Sequence, residues 1–115
     1  MTRVGFIGLG SQGGPMARRI ATTFPLTLWA RRREALMPYG DTGATFAATP
    51  ADLGAASDIV GICVVADADV EDVLLRPDGV LAGMARGGVI VIHSTVHPRT
   101  CQHVADAAAA KGVAA

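Results

Sequence analysis

The sequence predicts a doubly wound α/β domain built on a parallel sheet, and three observations carry that prediction. Short apolar runs alternate with stretches of helical periodicity along the whole chain. Two of the runs, 59–65 and 88–92, hold no charge, the pattern of strands covered on both faces. No linker or repeat interrupts the 115 residues, and the alanine run at 107–110 reads as packed helix; this length suits one domain, 1–115.

Each element has a local reason. Residues 3–7 form an apolar first strand. Residues 11–22 follow as a helix with Met16, Ala17 and Ile20 on one face. Pro25 introduces a second strand at 26–30, and 32–37 reads as a short helix ended by Pro38 and Gly40. Thr45 and Phe46 make a brief third strand. Thr49-Pro50 supplies a cap and a first-turn proline for a helix through Leu53. After the fourth strand at 59–65, Asp67 or Asp69 caps a helix carrying Val70, Val73 and Leu74. The fifth strand is 88–92. Pro98 then opens a helix through Ala110 with Cys101, Val104 and Ala108 on one face, Gly112 ends it, and 113–115 read as the start of a sixth strand.

Composition narrows the class. Half the residues are hydrophobic and 4% aromatic, so the core is built from Val, Ile, Leu and Ala. No apolar run reaches the roughly 20 residues a spanning helix needs. The N-terminus runs into a strand without separate basic and apolar signal regions, so a cytoplasmic protein is expected. Cys63 and Cys101 form no CxxC pair and read as free, buried thiols. Net charge is zero, which argues against a nucleic-acid partner. Charge is nevertheless uneven: Arg3, Arg18, Arg19, Arg31, Arg32 and Arg33 all precede the first acid, Glu34, so a local anion site is expected in the first third.

The chemistry-bearing motif is Gly8-Leu9-Gly10-Ser11-Gln12-Gly13, a GxGxxG placed between a strand and a helix at the start of a βαβ unit. In that context Gly8 permits the tight turn, Gly10 lets the backbone approach a pyrophosphate, and Gly13 lets the helix pack closely on the strand. The helix N-terminus adds N–H groups and partial positive charge. This is a Rossmann-type arrangement. Pro15 falls early in the helix, at or near donors that have no intrahelical partner. About 20 residues beyond the glycines an NAD site usually carries a carboxylate for the ribose hydroxyls. Here the sequence is Trp29-Ala30-Arg31-Arg32-Arg33. Arginines suit a 2′-phosphate, and one can stack on adenine, so NADP is preferred over NAD.

The segments GFIGLGSQGGPMA, LWARR, ADVEDVL and HSTVHPRT together resemble the β-hydroxyacid dehydrogenase family, in the right order along the whole chain. That family includes 3-hydroxyisobutyrate dehydrogenases and, more distantly, 6-phosphogluconate dehydrogenase and imine reductases. The resemblance implies that Gly8, Leu9, Gly10, Ser11, Gln12 and Gly13 line the pyrophosphate. It implies that Arg31 meets the adenosine phosphate, that Val64, Val65 and Ala66 form the loop beside the cofactor, and that Thr95 lies near the nicotinamide. Gln12, Ala30, Arg32 and His93 depart from the family's usual Met, Asn, Thr or Ser, and Asp. Family members are far longer. Their catalytic lysine and helical dimerisation domain have no counterpart here, and Lys111, the only lysine, does not match the catalytic one. The expectation is therefore the NADP-binding domain of an oxidoreductase acting on a small β-hydroxyacid or semialdehyde, with the complete enzyme a homodimer. An imine reductase cofactor domain and a non-catalytic dinucleotide sensor remain alternatives.

Other clusters have simpler readings. His93, His97 and His103 share no helical face and lack a completing ligand for metal, although His97 can approach a substrate in a complete enzyme. Asp67, Asp69, Glu71 and Asp72 gather at a helix start, where capping and dipole interactions explain them. Ser94 lies in no nucleophile elbow. With no catalytic residue assigned, the 115-residue chain should bind NADP yet show no turnover on hydroxyisobutyrate, tartronate semialdehyde or glyoxylate. Steady-state assays of the purified chain check this, and turnover above any contaminant level would contradict it.

Overall fold

The computed structural model describes residues 2–10, 12–64, 66–93 and 96–115. Strands β1 (Val4–Ile7), β2 (Leu26–Trp29), β3 (Thr45–Phe46), β4 (Ile59–Ile62) and β5 (Val89–Ile92) pair in parallel in the order β3-β2-β1-β4-β5. The chain thus builds outward from β1 to β3, then returns to the other side of β1 and builds outward again. The reversal lies between β1 and β4, where a crevice opens at the carboxyl ends of an open α/β sheet.

Strand alternation sorts the core. In register, Ile7 pairs with Trp29 on one side and Ile62 on the other. All three join a cluster with Leu53 of helix α2 (Pro50–Ala55), Val70, Val73 and Leu74 of α3 (Asp67–Leu75), and Val80 of α4 (Val80–Gly83). Phe6 and Leu28 point the other way. They pack with Ala17 of α1 (Gly13–Ala21) and with Leu36 and Tyr39 of a run of 3₁₀ turns at Arg33–Thr42. Met16 and Ile20 lie beside Ala17 on the same helical face, as their spacing predicts. The Thr49 hydroxyl accepts a hydrogen bond from the Asp52 amide at 3.1 Å, the predicted cap of α2.

Several local expectations are corrected. Pro38 does not end the segment after β2: the 3₁₀ run continues through it to Gly43, whose φ of 79° turns the chain. Buried Leu36 and Tyr39 hold the segment to the sheet, so packing overrides the proline. The short α4 has too few residues to show a periodicity. β4 ends at Ile62, and residues 63 and 64 leave the sheet. One face of β5 is open, with Val89 and Val91 37% and 39% exposed, so its apolar run does not mean cover on both sides. In α5 (Pro98–Ala110) it is Thr100, not Cys101, that faces inward with Val104 and Ala108; Cys101 is exposed and Cys63 half-buried. Gly112, at φ 75°, ends α5 as expected. Ala114 bridges Val89 where a sixth strand was expected to start. Among the described residues, no helix is long and apolar enough to cross a membrane.

Asp67 does not cap its own helix. Ala66 holds the cap position of α3 without a side-chain bond. The Asp67 carboxylate instead accepts from the His97 amide at 2.9 Å and the Thr100 hydroxyl at 2.8 Å, joining the start of α3 to the start of α5. At the opposite end of the sheet, the Asp58 carboxylate accepts from the Arg3 amide at 2.8 Å and pairs with its guanidinium at 3.1 Å.

These bonds set an acid sensitivity. The His97 amide, followed by the Thr100 hydroxyl, holds the Asp67 carboxyl below its ordinary value, and the Arg3 guanidinium does the same for Asp58. A folded value below the unfolded one stabilises the fold fully above the unfolded Asp pKa, about 3.9. The contribution is lost as pH falls from there through the lowered folded value. Asp67→Asn should therefore make stability less steeply dependent on pH below about 4. Urea denaturation of both forms between neutral and acid pH measures this, and identical acid limbs would contradict it.

Candidate functional site

The carboxyl ends of β1, β2 and β4 open into a cleft of about 670 Å³. The glycine turn supplies Gly8, Leu9 and Gly10. The end of β2 and the residues after it supply Trp29, Ala30, Arg31 and Arg32. The β4 side supplies Cys63 and Val64, and α3 adds Asp69 and Val73.

The three glycines of the turn differ in what surrounds them. Gly8 has φ 105°, and a Cβ there would lie 2.0 Å from the Cys63 carbonyl oxygen. A Cβ on Gly13 would lie 1.6 Å from the Gly8 carbonyl oxygen. Both positions are required by the protein's own packing. Among the described residues, a Cβ on Gly10 would meet nothing within 4 Å. At Gly10 the turn therefore presents backbone with open space over it, which a side chain would fill. Behind the turn, the buried Tyr39 places its hydroxyl 3.5 Å from the Leu9 carbonyl oxygen, while Arg18 lies over the Tyr39 ring at 4.8 Å. Helix α1 begins here with Gln12 at the cap position, no side-chain capping bond and no acid in its first turn, leaving its positive end unneutralised. Pro15 falls in that first turn, where its missing N–H does least harm.

The adenosine-side residues predicted from sequence are brought together, with an addition. Arg31 and Arg32 line the cleft, as do Gly8, Leu9, Gly10 and Val64. Gln12, Gly13 and Ala66 flank it, at the cap of α1, the first turn of α1 and the cap of α3. Ser11, Val65 and Thr95 lie outside the described residues. The segment Trp29–Arg33 holds no carboxylate of its own. α3 carries two to it: Arg31 Nη2 lies 3.4 Å from Asp69 Oδ1 and 3.3 Å from Asp72 Oδ2. Asp72 also meets Arg76 at 3.7 Å, and Arg76 donates to Asp78 and lies over the Trp29 ring at 6.0 Å.

The position of Trp29 was open to inference, since it ends the second strand and the crevice lies at strand ends. Asp69 gave only a local signal, that of a helix start. The three histidines each have a packing role: His93 stacks on Phe6 at 6.2 Å between ring centroids, the His97 ring accepts from the Arg99 amide, and His103 contacts Glu71 at 3.3 Å.

Fold order, bare glycine turn and switch-point cleft together define a dinucleotide-binding α/β domain. Comparison with known proteins agrees with that class. Residues 3–115 match the family of the NAD binding domain of 6-phosphogluconate dehydrogenase, and the chain belongs to it. It is 38% identical over 113 residues to an uncharacterized oxidoreductase of Mycobacterium tuberculosis strain H37Rv, covering 96% of this chain and 38% of that protein. It is 32% identical over 114 residues to the 3-hydroxyisobutyrate dehydrogenase of Pseudomonas aeruginosa, covering 98% of this chain and 38% of that enzyme. A solved imine reductase from Myxococcus stipitatus in complex with NADP+ superposes with a TM-score of 0.83 at 27% identity, covering 97% of this chain and 38% of that one. The chain thus spans a little over a third of the length of these relatives. It is an NAD(P)-binding domain of the oxidoreductase type.

The glycines yield a test that separates packing from ligand space. Gly13→Ala should destabilise the fold by about 1–3 kcal/mol, the scale of enforced backbone strain. Gly10→Val should leave the stability within about 0.5 kcal/mol of the parent, as an exposed substitution does. Thermal denaturation of the two variants checks this, and equal losses would show that Gly10 also serves packing.

Proposed function

We propose that this chain is the NADP-holding half of an oxidoreductase that moves a hydride between nicotinamide and a small β-hydroxyacid or its semialdehyde. The observation that carries the cofactor reading is Gly10: packing demands glycine at Gly8 and Gly13, and no neighbour among the described residues demands it at Gly10. The pyrophosphate crosses the turn there, against the positive end of α1. The adenosine end runs over Trp29 and Ala30 toward Arg31 and Arg32, which bind the 2′-phosphate. Leu9, Val64 and Val73 present apolar surface within the cleft and exclude water from it. Ser11, Gln12, Val65, Ala66 and Thr95 belong to the same proposal through the resemblance of their segments to the dehydrogenase family. When bound, the nicotinamide supplies or accepts the hydride.

The substrate class rests on two supports: the resemblance of four segments to β-hydroxyacid dehydrogenases, and the likeness to a 3-hydroxyisobutyrate dehydrogenase. The likeness to an imine reductase supports a second reading with the same cofactor arrangement. Turnover of hydroxyisobutyrate, as opposed to a cyclic imine, by the protein with its full native length separates the two.

Trp29 is the only tryptophan and lines the cleft, so its fluorescence is a direct reporter of occupancy. Titration with NADP should change that signal, and Gly10→Val should abolish the response to NADP and NAD alike. Arg31→Ala should weaken NADP by about 1.5–3 kcal/mol, the scale of a charge-assisted hydrogen bond, and NAD much less. Equal losses for the two cofactors would refute the 2′-phosphate role of Arg31.

A further inference from the structure

The cleft's adenosine side contains more negative charge than a 2′-phosphate site calls for. Arg31 is the residue placed best to meet that phosphate, yet its guanidinium already lies within 3.4 Å of Asp69 and 3.3 Å of Asp72. Both acids come from α3, on the far side of the sheet's switch point. Asp69 itself lines the cleft. Asp72 is shared with Arg76, which in turn binds Asp78. Of the two arginines that line the cleft, Arg31 and Arg32, the first is thus opposed by two carboxylates, Asp69 and Asp72.

A cofactor carrying about two negative charges on a 2′-phosphate has to compete with these carboxylates for Arg31 and approach them as a like charge. A cofactor with a 2′-hydroxyl meets no such opposition, and its hydroxyls are donors that a carboxylate in the cleft accepts. We propose that Asp69 and Asp72 are specificity-determining residues. By holding Arg31 across the cleft from α3, they lower the preference for NADP over NAD. Asp69 is the stronger of the two, because it faces the cleft and Asp72 is divided between two arginines. This rests on the reading of the cleft as the adenosine site.

The test is the ratio of NADP to NAD affinity, read by Trp29 fluorescence in the 115-residue chain. A change in the folded fraction does not move that ratio. Asp69→Asn keeps the shape of the side chain and removes its charge. It should raise the ratio about three- to tenfold at low salt, with a smaller rise for Asp72→Asn and a smaller effect of both at high salt. Asp78→Asn, which touches Arg76 and not Arg31, should leave the ratio unchanged. In an Arg31→Ala background the gain from Asp69→Asn should be smaller, because the part of it that acts through Arg31 is gone. An unchanged ratio in Asp69→Asn, or a gain that is undiminished without Arg31, would overturn the proposal while leaving the adenosine-site reading standing. A parent chain that binds neither cofactor, or loses both equally in Arg31→Ala, would overturn that reading and the proposal with it.

Discussion

The close approach of the β1–α1 turn to the end of β4 is the constraint on which the rest of the domain depends. A Cβ at Gly8 would sit 2.0 Å from the Cys63 carbonyl oxygen, and one at Gly13 would sit 1.6 Å from the Gly8 carbonyl oxygen. Helix and neighbouring strand therefore bear on the same peptide units, with no side chain between them. This proximity fixes where α1 begins and aims its positive end across the strand termini. It also brings Cys63, whose amide donates to the Ile7 carbonyl, into the cleft wall together with Val64. Tyr39 supports the turn from the other side, with Arg18 stacked on its ring. The surface that remains exposed is backbone, and a phosphate group is the kind of ligand that bare N–H groups recognise.

Most of the architecture was legible in the sequence because its signals are local. Strand and helix alternation, the Thr49-Pro50 cap, the Pro98 start and the Gly112 stop each depend on a few neighbouring residues. The glycine motif was legible for the same reason, and Gly8 and Gly13 show the tight turn and close packing that it predicts. What was not legible depends on contacts between distant segments. Nothing near Pro38 reveals that Leu36 and Tyr39 anchor the chain around it. Asp67, Asp69 and Asp72 read as a helix start, since capping is what acids commonly do there. The fold sends Asp67 to α5 and the other two to Arg31, each across more than 25 residues. Cys101 occupies a helical face that periodicity makes apolar. The inward direction was set one residue earlier, where the Thr100 hydroxyl reaches Asp67.

The charge pattern shows the same division. A sequence window around Arg31 contains only positive charge, and it reads as an anion site awaiting a ligand. In the folded chain Arg31 is already partnered, because parallel strand order brings the helix after β4 beside the end of β2. Surface ion pairs of this kind contribute little to stability, at most about 1 kcal/mol each. Their weight lies elsewhere, in the potential that any charged ligand meets on approach.

The tie from Asp67 to the start of α5 has a mechanical consequence. The loops after β4 and β5 leave adjacent strands and run to separate helices, and loops of this sort ordinarily shift independently. One carboxylate, bonded to the His97 amide and the Thr100 hydroxyl, yokes the far ends of both. Displacing the start of either α3 or α5 therefore strains the start of the other, through a joint that lies outside the cleft lining.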